Sequence, residues 1–514
     1  MTSFFEKLKE ETCYASLLFM SELYRTLVLI DSRVKFQCMK RNEALFLIGI
    51  LLISALFSLS MLTRGHLWWD DFASYILQAQ SLLRGAPSEF VAHNAFTIEQ
   101  SSYPPGPIAY PWGFPMLLTP VLAVFGMKLL VLKGLNTIFF LLFLIVFYQL
   151  AKTRLASAWS LFLTAILAFN PVLLQAHDLI LSDIPFLFFS TLTLLLIEKN
   201  VKQTWSIGLV VFVAFSLRTN GLLLLAPLAV AQVQQFHSWA EVRKDWVKIV
   251  APYIVFTVSA GLLALLLPGG QESYFSHFSM FTVERWLANA AYYLRLPAEL
   301  FKGIWLGPVF FWLWALSFFA GVIFNFKRNL PLLTYLVVSL GLFITWPETQ
   351  GLRFLYPLVP IGALVAAEGW KAAAERFPVR GMSAARWAGF GSVGLLILLS
   401  LTASAQIGMS NLRNGRDING PFDPYSQEMF AFIREGTPPD SVVIFFRPRA
   451  MRLLGERDSF LSTECARLPL GDYLVLSKKA DDSLQIPENQ IQGCGLSLTS
   501  VFENRRFIVF RLTQ

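Results

Sequence analysis

Apolar residues fill long stretches of this chain instead of alternating with polar ones, and the clearest run extends from Glu43 to Leu62. Others follow at about 128–150, 155–170, 183–197, 204–217, 221–235, 247–267, 304–325, 331–346, 354–370 and 387–407. A helix needs about 20 mostly apolar residues to cross a hydrocarbon layer about 30 Å thick. The pattern predicts an all-α polytopic membrane bundle of about eleven spans over residues 43–407. Residues 1–42 form a mixed-charge tail. Its apolar stretch Tyr14–Ile30 is interrupted by Glu22 and Arg25, and reads as an interfacial helix, not a span. No signal peptide with a small-residue cleavage site is expected ahead of it.

The pattern changes over residues 408–514. Tyr425–Glu435 reads as a short helix stopped by Gly436 and the turn Thr437-Pro438-Pro439-Asp440. Strand-like runs follow at Val442–Phe446, Tyr473–Ser477 and Phe507–Leu512, so a small α/β domain is expected there. Cys465 and Cys494 both fall in it, as a disulfide or as two free buried thiols, while Cys13 and Cys38 lie in the N-terminal tail.

Composition narrows the class. Of 514 residues 55% are hydrophobic and 15% charged, whereas a soluble globular chain carries roughly 25% charged residues. A disordered chain, a disulfide-dense secreted domain and a purely cytosolic enzyme are excluded. The net charge of +8 is scattered in short clusters between apolar runs, which suits membrane orientation better than a nucleic-acid face. With the tail inside, alternate loops carry Lys152/Arg154, Lys199/Lys202, Arg243/Lys244/Lys248, Lys327/Arg328 and Lys371/Arg376/Arg380/Arg386. The opposite loops are longer and hold fewer cations, so the N-terminus is expected in the cytoplasm and the C-terminal domain outside the cytoplasmic membrane.

The segment at about 63–127 is too long for a connector and is expected to carry function on the outer face. It opens His66-Leu67-Trp68-Trp69-Asp70-Asp71-Phe72, with a helix expected over Phe72–Leu83. Asp70 and Asp71 are either caps on that helix or a catalytic pair. Two adjacent carboxylates repel, and a raised pKa makes one a usable general base. Downstream, Tyr103-Pro104-Pro105-Gly106-Pro107 and Tyr110-Pro111-Trp112-Gly113-Phe114-Pro115 make a stiff aromatic ridge, fit to stack on sugar rings or to anchor a loop at a bilayer. Asp183 sits at the mouth of a span after His177, and Arg218, Asn220 and Arg353 interrupt apolar runs. Each is a cap or a snorkelling side chain, or part of a site. Carboxylates and arginines on one face suit a reaction between a hydroxyl and a lipid-linked phosphate, which an arginine fork can hold.

These stretches in this order, with His177…Asp183-Ile184-Pro185, Arg218-Thr219-Asn220-Gly221 and Arg353-Phe354-Leu355-Tyr356-Pro357, resemble the integral-membrane glycosyltransferases of the C-type fold. The nearest groups are the protein O-mannosyltransferases and the lipid A aminoarabinose transferases. The resemblance covers about residues 43–407. It implies an inverting transfer of a sugar from a polyprenyl-phosphate donor to an acceptor hydroxyl on a glycan, lipid or protein, with membrane lipids and not nucleic acid as surroundings. Asp70 would be the general base, with Asp71 where the mannosyltransferases usually have Glu. Asp183 would orient acceptor or base, and Arg353 and Arg218 would hold the donor phosphate. Tyr75, Tyr103, Tyr110, Trp112, His177, Asn220 and Tyr356 would line the substrate. No metal-binding motif is present, and the family leaves a divalent cation optional. A transporter or flippase of lipid-linked saccharides, or a non-catalytic membrane assembly protein, is the alternative. No internal repeat of the transporter kind is found.

Overall fold

Long apolar stretches satisfy their own backbone groups by winding into helices, the form a lipid interior permits. The computed structural model describes residues 40–199, 204–235, 238–269, 282–376, 382–479 and 484–513, and the N-terminal tail with Tyr14–Ile30, Cys13 and Cys38 lies outside them. Among the described residues seven helical stretches are long and apolar enough to cross a membrane: Arg41–Met61, Leu129–Lys152, Trp239–Leu266, Gly307–Phe324, Phe326–Thr345, Gly351–Arg376 and Gly389–Arg413. An eighth span exists if Ser157–Ala168 and Pro171–Asp178, bent by 51° at their break, act together. Asn170 makes that break by accepting the N–H groups of Val172 and Leu173 at 3.0 and 3.1 Å.

Eleven spans were expected from the apolar runs; among the described residues seven helices, or eight spans with the bent pair, meet the length and hydropathy of a span. The runs at 183–197, 204–217 and 221–235 form helices Asp183–Lys199, Thr204–Leu217 and Leu225–Gln235, of 17, 14 and 11 residues. At 1.5 Å per residue they reach about 25, 21 and 17 Å, less than the hydrocarbon thickness. Asp183–Lys199 is buried on nearly every side by neighbouring helices. An apolar helix packed in protein and one facing lipid read alike in sequence.

The 63–127 segment is structured throughout most of its length. Helices Asp71–Arg84, Pro87–Gln100 and Gly113–Phe125 fold within it. The first matches the expected Phe72–Leu83 helix, and its buried face includes Phe72, Tyr75, Ile76 and Ala79.

The last long helix runs to Arg413, and a five-stranded sheet follows in the order β2-β1-β3-β5-β4. The strands are β1 Val442–Ile444, β2 Asp458–Phe460, β3 Tyr473–Ser477, β4 Ser497–Glu503 and β5 Phe507–Thr513. β1 pairs in parallel with β2 and β3, and β5 antiparallel with β3 and β4. Helix Pro424–Gly436 and the three expected strands are present; β2 is too short and β4 too exposed for a legible pattern. Cys465 and Cys494 form a disulfide.

This domain rests on the 63–127 segment. Trp68 packs among Phe430, Phe445, Phe446 and Phe507. Ser102 N donates to Leu461 O at 2.9 Å, and Arg467 Nη1 to Gln100 O at 2.9 Å. Toward the opposite helix ends Lys152 meets Glu43 at 3.0 Å, and Arg154 meets Glu198 and Glu368 at 2.8 and 3.3 Å. Of the cations assigned to alternate loops, Lys152 and Arg154 are thus each held by a carboxylate from another helix.

Candidate active site

Four charged residues from four places in the chain meet in one linked group. Arg353 lies in the 3-10 turn Gly351–Leu358 that precedes helix Val359–Arg376; Asp183 opens its helix, and Arg218 follows the Thr204–Leu217 helix. Arg353 Nη1 donates to Asp71 Oδ2 at 3.0 Å, and its Nη2 lies 3.3 Å from Asp183 Oδ2. Arg218 Nη1 donates to the other oxygen of Asp183. Arg218 lies over the Phe354 ring at 5.3 Å and Arg353 over Trp69 at 5.9 Å, so each guanidinium has an aromatic face as well as a carboxylate. Asp183, Arg353, Trp69, Gln350 and Tyr356 line a cavity of about 480 Å³.

The acid pair divides its labour. Asp71 Oδ1 accepts from the Tyr110 hydroxyl at 2.7 Å, and 22% of the Asp71 side chain is exposed. Asp70 is 3% exposed and faces the other way, accepting from the backbone N–H groups of Arg449 and Ala450 at 3.4 and 3.2 Å. Neither aspartate caps its own helix by side chain; Asp70 occupies the N-cap position, but its carboxylate serves the first turn of helix Pro448–Gly455 in the C-terminal domain. Burial pushes the Asp70 carboxyl above its ordinary range against the pull of Arg449 and Arg447. The expected rise in one carboxyl of the pair thus comes from burial and not from mutual repulsion. Burial also acts to raise Asp71, yet Arg353 and the Tyr110 hydroxyl outweigh it and hold that carboxyl below the usual range.

The remaining candidate residues separate into those at the group and those away from it. Tyr110 and Tyr356 are at it. Tyr75 lies behind, buried, its ring 4.6 Å from Tyr110 and its hydroxyl 3.0 Å from Ser182 Oγ. Tyr103 is 40% exposed. Asn220 sits in the 3-10 turn after Arg218, its Oδ1 buried without a hydrogen bond among the described residues. Trp112 points elsewhere: its Nε1 donates to Pro268 O at 2.9 Å. His177 has Nδ1 2.5 Å from Ser58 Oγ and its ring against Phe140, with Nε2 buried and without a hydrogen bond among the described residues.

Sequence reasoning passed over three supports. Lys133, inside an apolar run, donates to Asp178 at 2.6 Å and to Thr63 O and Gly65 O at 3.1 and 2.6 Å, pinning the start of the 63–71 segment to the turn that leads to Asp183. An ionisable residue within a span is itself a signal, so Lys133 was findable. His66 Nε2 accepts from Ile180 N at 3.1 Å, fastening the same two segments. Burial pushes that imidazole down to about 3, so it is neutral. The third is Arg449, for which no local pattern gives a hint.

Among the described residues no three His, Cys, Asp or Glu side chains converge to hold a metal ion. Asp71 and Asp183 each have arginine partners instead.

No protein-family model matches the chain, and no curated protein matches it. Solved structures do. ArnT from Cupriavidus metallidurans bound to undecaprenyl phosphate aligns with a TM-score of 0.59 at 13% identity, over 92% of this chain and 98% of that one. The oligosaccharyltransferase of Archaeoglobus fulgidus in its apo form aligns with a TM-score of 0.52 at 11% identity, over 91% and 74%. The arabinofuranosyltransferase AftD from Mycobacteria aligns at 0.50 and 13% identity, over 94% of this chain and 40% of that one. This multi-pass membrane protein therefore has the C-type glycosyltransferase fold that its sequence resembles.

Proposed function

We propose that the chain transfers a sugar from a polyprenyl-phosphate donor to an acceptor hydroxyl, with inversion, at the outer face of the cytoplasmic membrane. The observation that carries this reading is Arg353, which bridges Asp71 and Asp183 at the wall of the cavity. Undecaprenyl phosphate in the ArnT structure supports a lipid phosphate as the donor's carrier.

The general base is Asp71 in this reading, not Asp70. A base must reach the substrate, and Asp71 is 22% exposed while Asp70 spends both oxygens on backbone donors. The acceptor hydroxyl attacks the anomeric carbon as its proton passes to Asp71. The bond from that carbon to the phosphate oxygen breaks, and the polyprenyl phosphate leaves with the electron pair. Arg353 and Arg218 have donors left over after meeting their carboxylates, since a guanidinium carries five N–H groups. Those donors stabilise the charge that grows on the phosphate. Asp183 keeps both arginines oriented, and Tyr356 and Trp69 offer ring faces to the sugar.

Mass spectrometry of surface glycans and glycolipids from cells with and without the protein should show one product missing a single sugar. Complementation then divides the acid pair. Asp71→Asn should lower its formation by about 10²–10⁴, and Asp70→Asn by much less. Full product with Asp71→Asn would sink the mechanism.

A further inference from the structure

We infer that Arg449, carried by the C-terminal domain, is a positioning residue for Asp71 and acts through the hydroxyl of Tyr110. The inference rests on the role proposed above for Asp71.

Arg449 is wholly buried. Its Nη2 donates to Pro107 O at 2.5 Å, and its Nη1 to Pro105 O and the Tyr110 hydroxyl at 3.5 and 3.4 Å. The guanidinium also lies over the Tyr110 ring at 5.5 Å. A buried charge is normally paired, yet Arg449 forms no ion pair within 4 Å among the described residues; its counter-charges are Asp70 and Asp71, felt at longer range. A phenol has one proton to give. With an Arg449 N–H directed at the Tyr110 oxygen, that proton is left to point at Asp71, 2.7 Å away.

The surroundings are shaped for this contact. Gly106 has φ +146°, and a Cβ there would lie 2.7 Å from Arg449 Nη1 and 2.9 Å from the Tyr110 hydroxyl. Gln78 clamps the Tyr110 backbone from both sides, at 3.1 Å to N and 2.9 Å to O. The backbone N–H groups of Arg449 and Ala450 meanwhile hold Asp70. One helix end of the C-terminal domain thus governs both members of the acid pair. The charged and titratable groups around Asp71 are Arg353 with its second partner Asp183, Arg218, Tyr110, Arg449, Tyr75, His66 and the neighbouring Asp70. Arg449 and Tyr110 both favour the ionised carboxylate, so losing either must raise the pH at which Asp71 takes up its proton.

The test uses the purified full chain and N,N′-dicyclohexylcarbodiimide, which modifies protonated carboxyls. Labelling of Asp71, read by fragment mass spectrometry, is followed against pH. Arg449→Met and Tyr110→Phe should each move the labelling midpoint up by about one pH unit. In a Tyr110→Phe background Arg449→Met should add less than half of that shift. Arg449→Leu, which also removes both the charge and the N–H at Tyr110, carries the same comparison should the Met variant not fold. An unmoved midpoint in the Arg449 variant overturns the inference, as does an undiminished shift in the Tyr110→Phe background. A loss of packing alone would lower the melting temperature without moving the midpoint. Because labelling needs neither sugar donor nor acceptor, its result is independent of the product analysis that tests the transferase reading.

Discussion

Lys133 Nζ lies 2.6 Å from Asp178 Oδ1, with none of the lysine side chain exposed. The same ammonium donates to Thr63 Oγ1, and Asp178 accepts from Thr63 N at 2.6 Å, so the pair and one threonine form a closed knot. It joins the segment that carries Asp71 to the turn that ends in Asp183. Removing the lysine leaves the partly buried Asp178 carboxylate, 16% exposed, with only its Thr63 donors among the described residues, at a cost of about 1–3 kcal/mol. Lys133→Met should therefore lower the melting temperature of the detergent-purified protein sharply. Lys133→Met combined with Asp178→Asn should recover part of the loss, because the stranded charge is gone. A double variant no more stable than the single one would show that the knot is not held by charge.

Arg353 tests geometry against charge. Lysine in its place keeps the positive charge but cannot fork between two carboxylates. Arg353→Lys is expected to form product at least about tenfold more slowly, the equivalent of about 1.4 kcal/mol. Arg353→Met should be slower still. Equal rates for wild type and Arg353→Lys would remove the bridge from the mechanism.

The acid limb of the pH–rate profile reports the base. Asp71 must be ionised to accept a proton, and Arg353 and Tyr110 keep it so to lower pH than an ordinary carboxylate. Activity should stay level as pH falls and drop only below the usual aspartate value of about 3.9, provided the fold survives. In Tyr110→Phe the drop should begin at higher pH. A wild-type limb centred near pH 6–7 would assign the proton to a different group.

His66 sets a pH limit on stability. Its pKa is depressed by burial to about 3, against the ordinary 6.5 in an unfolded chain. Between those values the unfolded chain binds the extra proton, so the contribution favouring unfolding appears as pH falls below about 6.5 and grows toward 3. Thermal unfolding measured from pH 8 to pH 4.5 should show a falling midpoint. His66→Gln, which can still accept from Ile180 N, should flatten that slope. An unchanged slope would place the acid sensitivity elsewhere.

The Cys465–Cys494 bridge spans 29 positions of sequence. A loop of that length gives about 2–4 kcal/mol of stabilisation on closure. The Cys465→Ser/Cys494→Ser variant should lose C-terminal-domain protection in hydrogen exchange while the bundle's exchange stays unchanged. If the sheet strands exchange as slowly as before, the bridge contributes nothing to the domain.

Runs of apolar residues were enough to indicate a helical membrane bundle, because a lipid interior leaves a chain few alternatives. The turn chemistry and short strand runs after residue 424 were enough to indicate an α/β unit. Asp71, Asp183, Arg218 and Arg353 were visible as charges breaking apolar or aromatic stretches, where burying an ion without a partner is costly. What tertiary structure alone decided is how these residues pair. Two adjacent aspartates at a helix start point in different directions, so one meets Arg353 and the other the backbone of Ala450. His177 and Trp112 look like site residues in sequence, and in space His177 meets Ser58 while Trp112 donates to Pro268 O. Arg449 carries no local signal, since its partners lie more than 300 residues away in sequence. Periodicity and capping act over a few residues. Which distant side chains share a pocket is set by how helices of different lengths pack, and that is fixed only when the whole chain has folded.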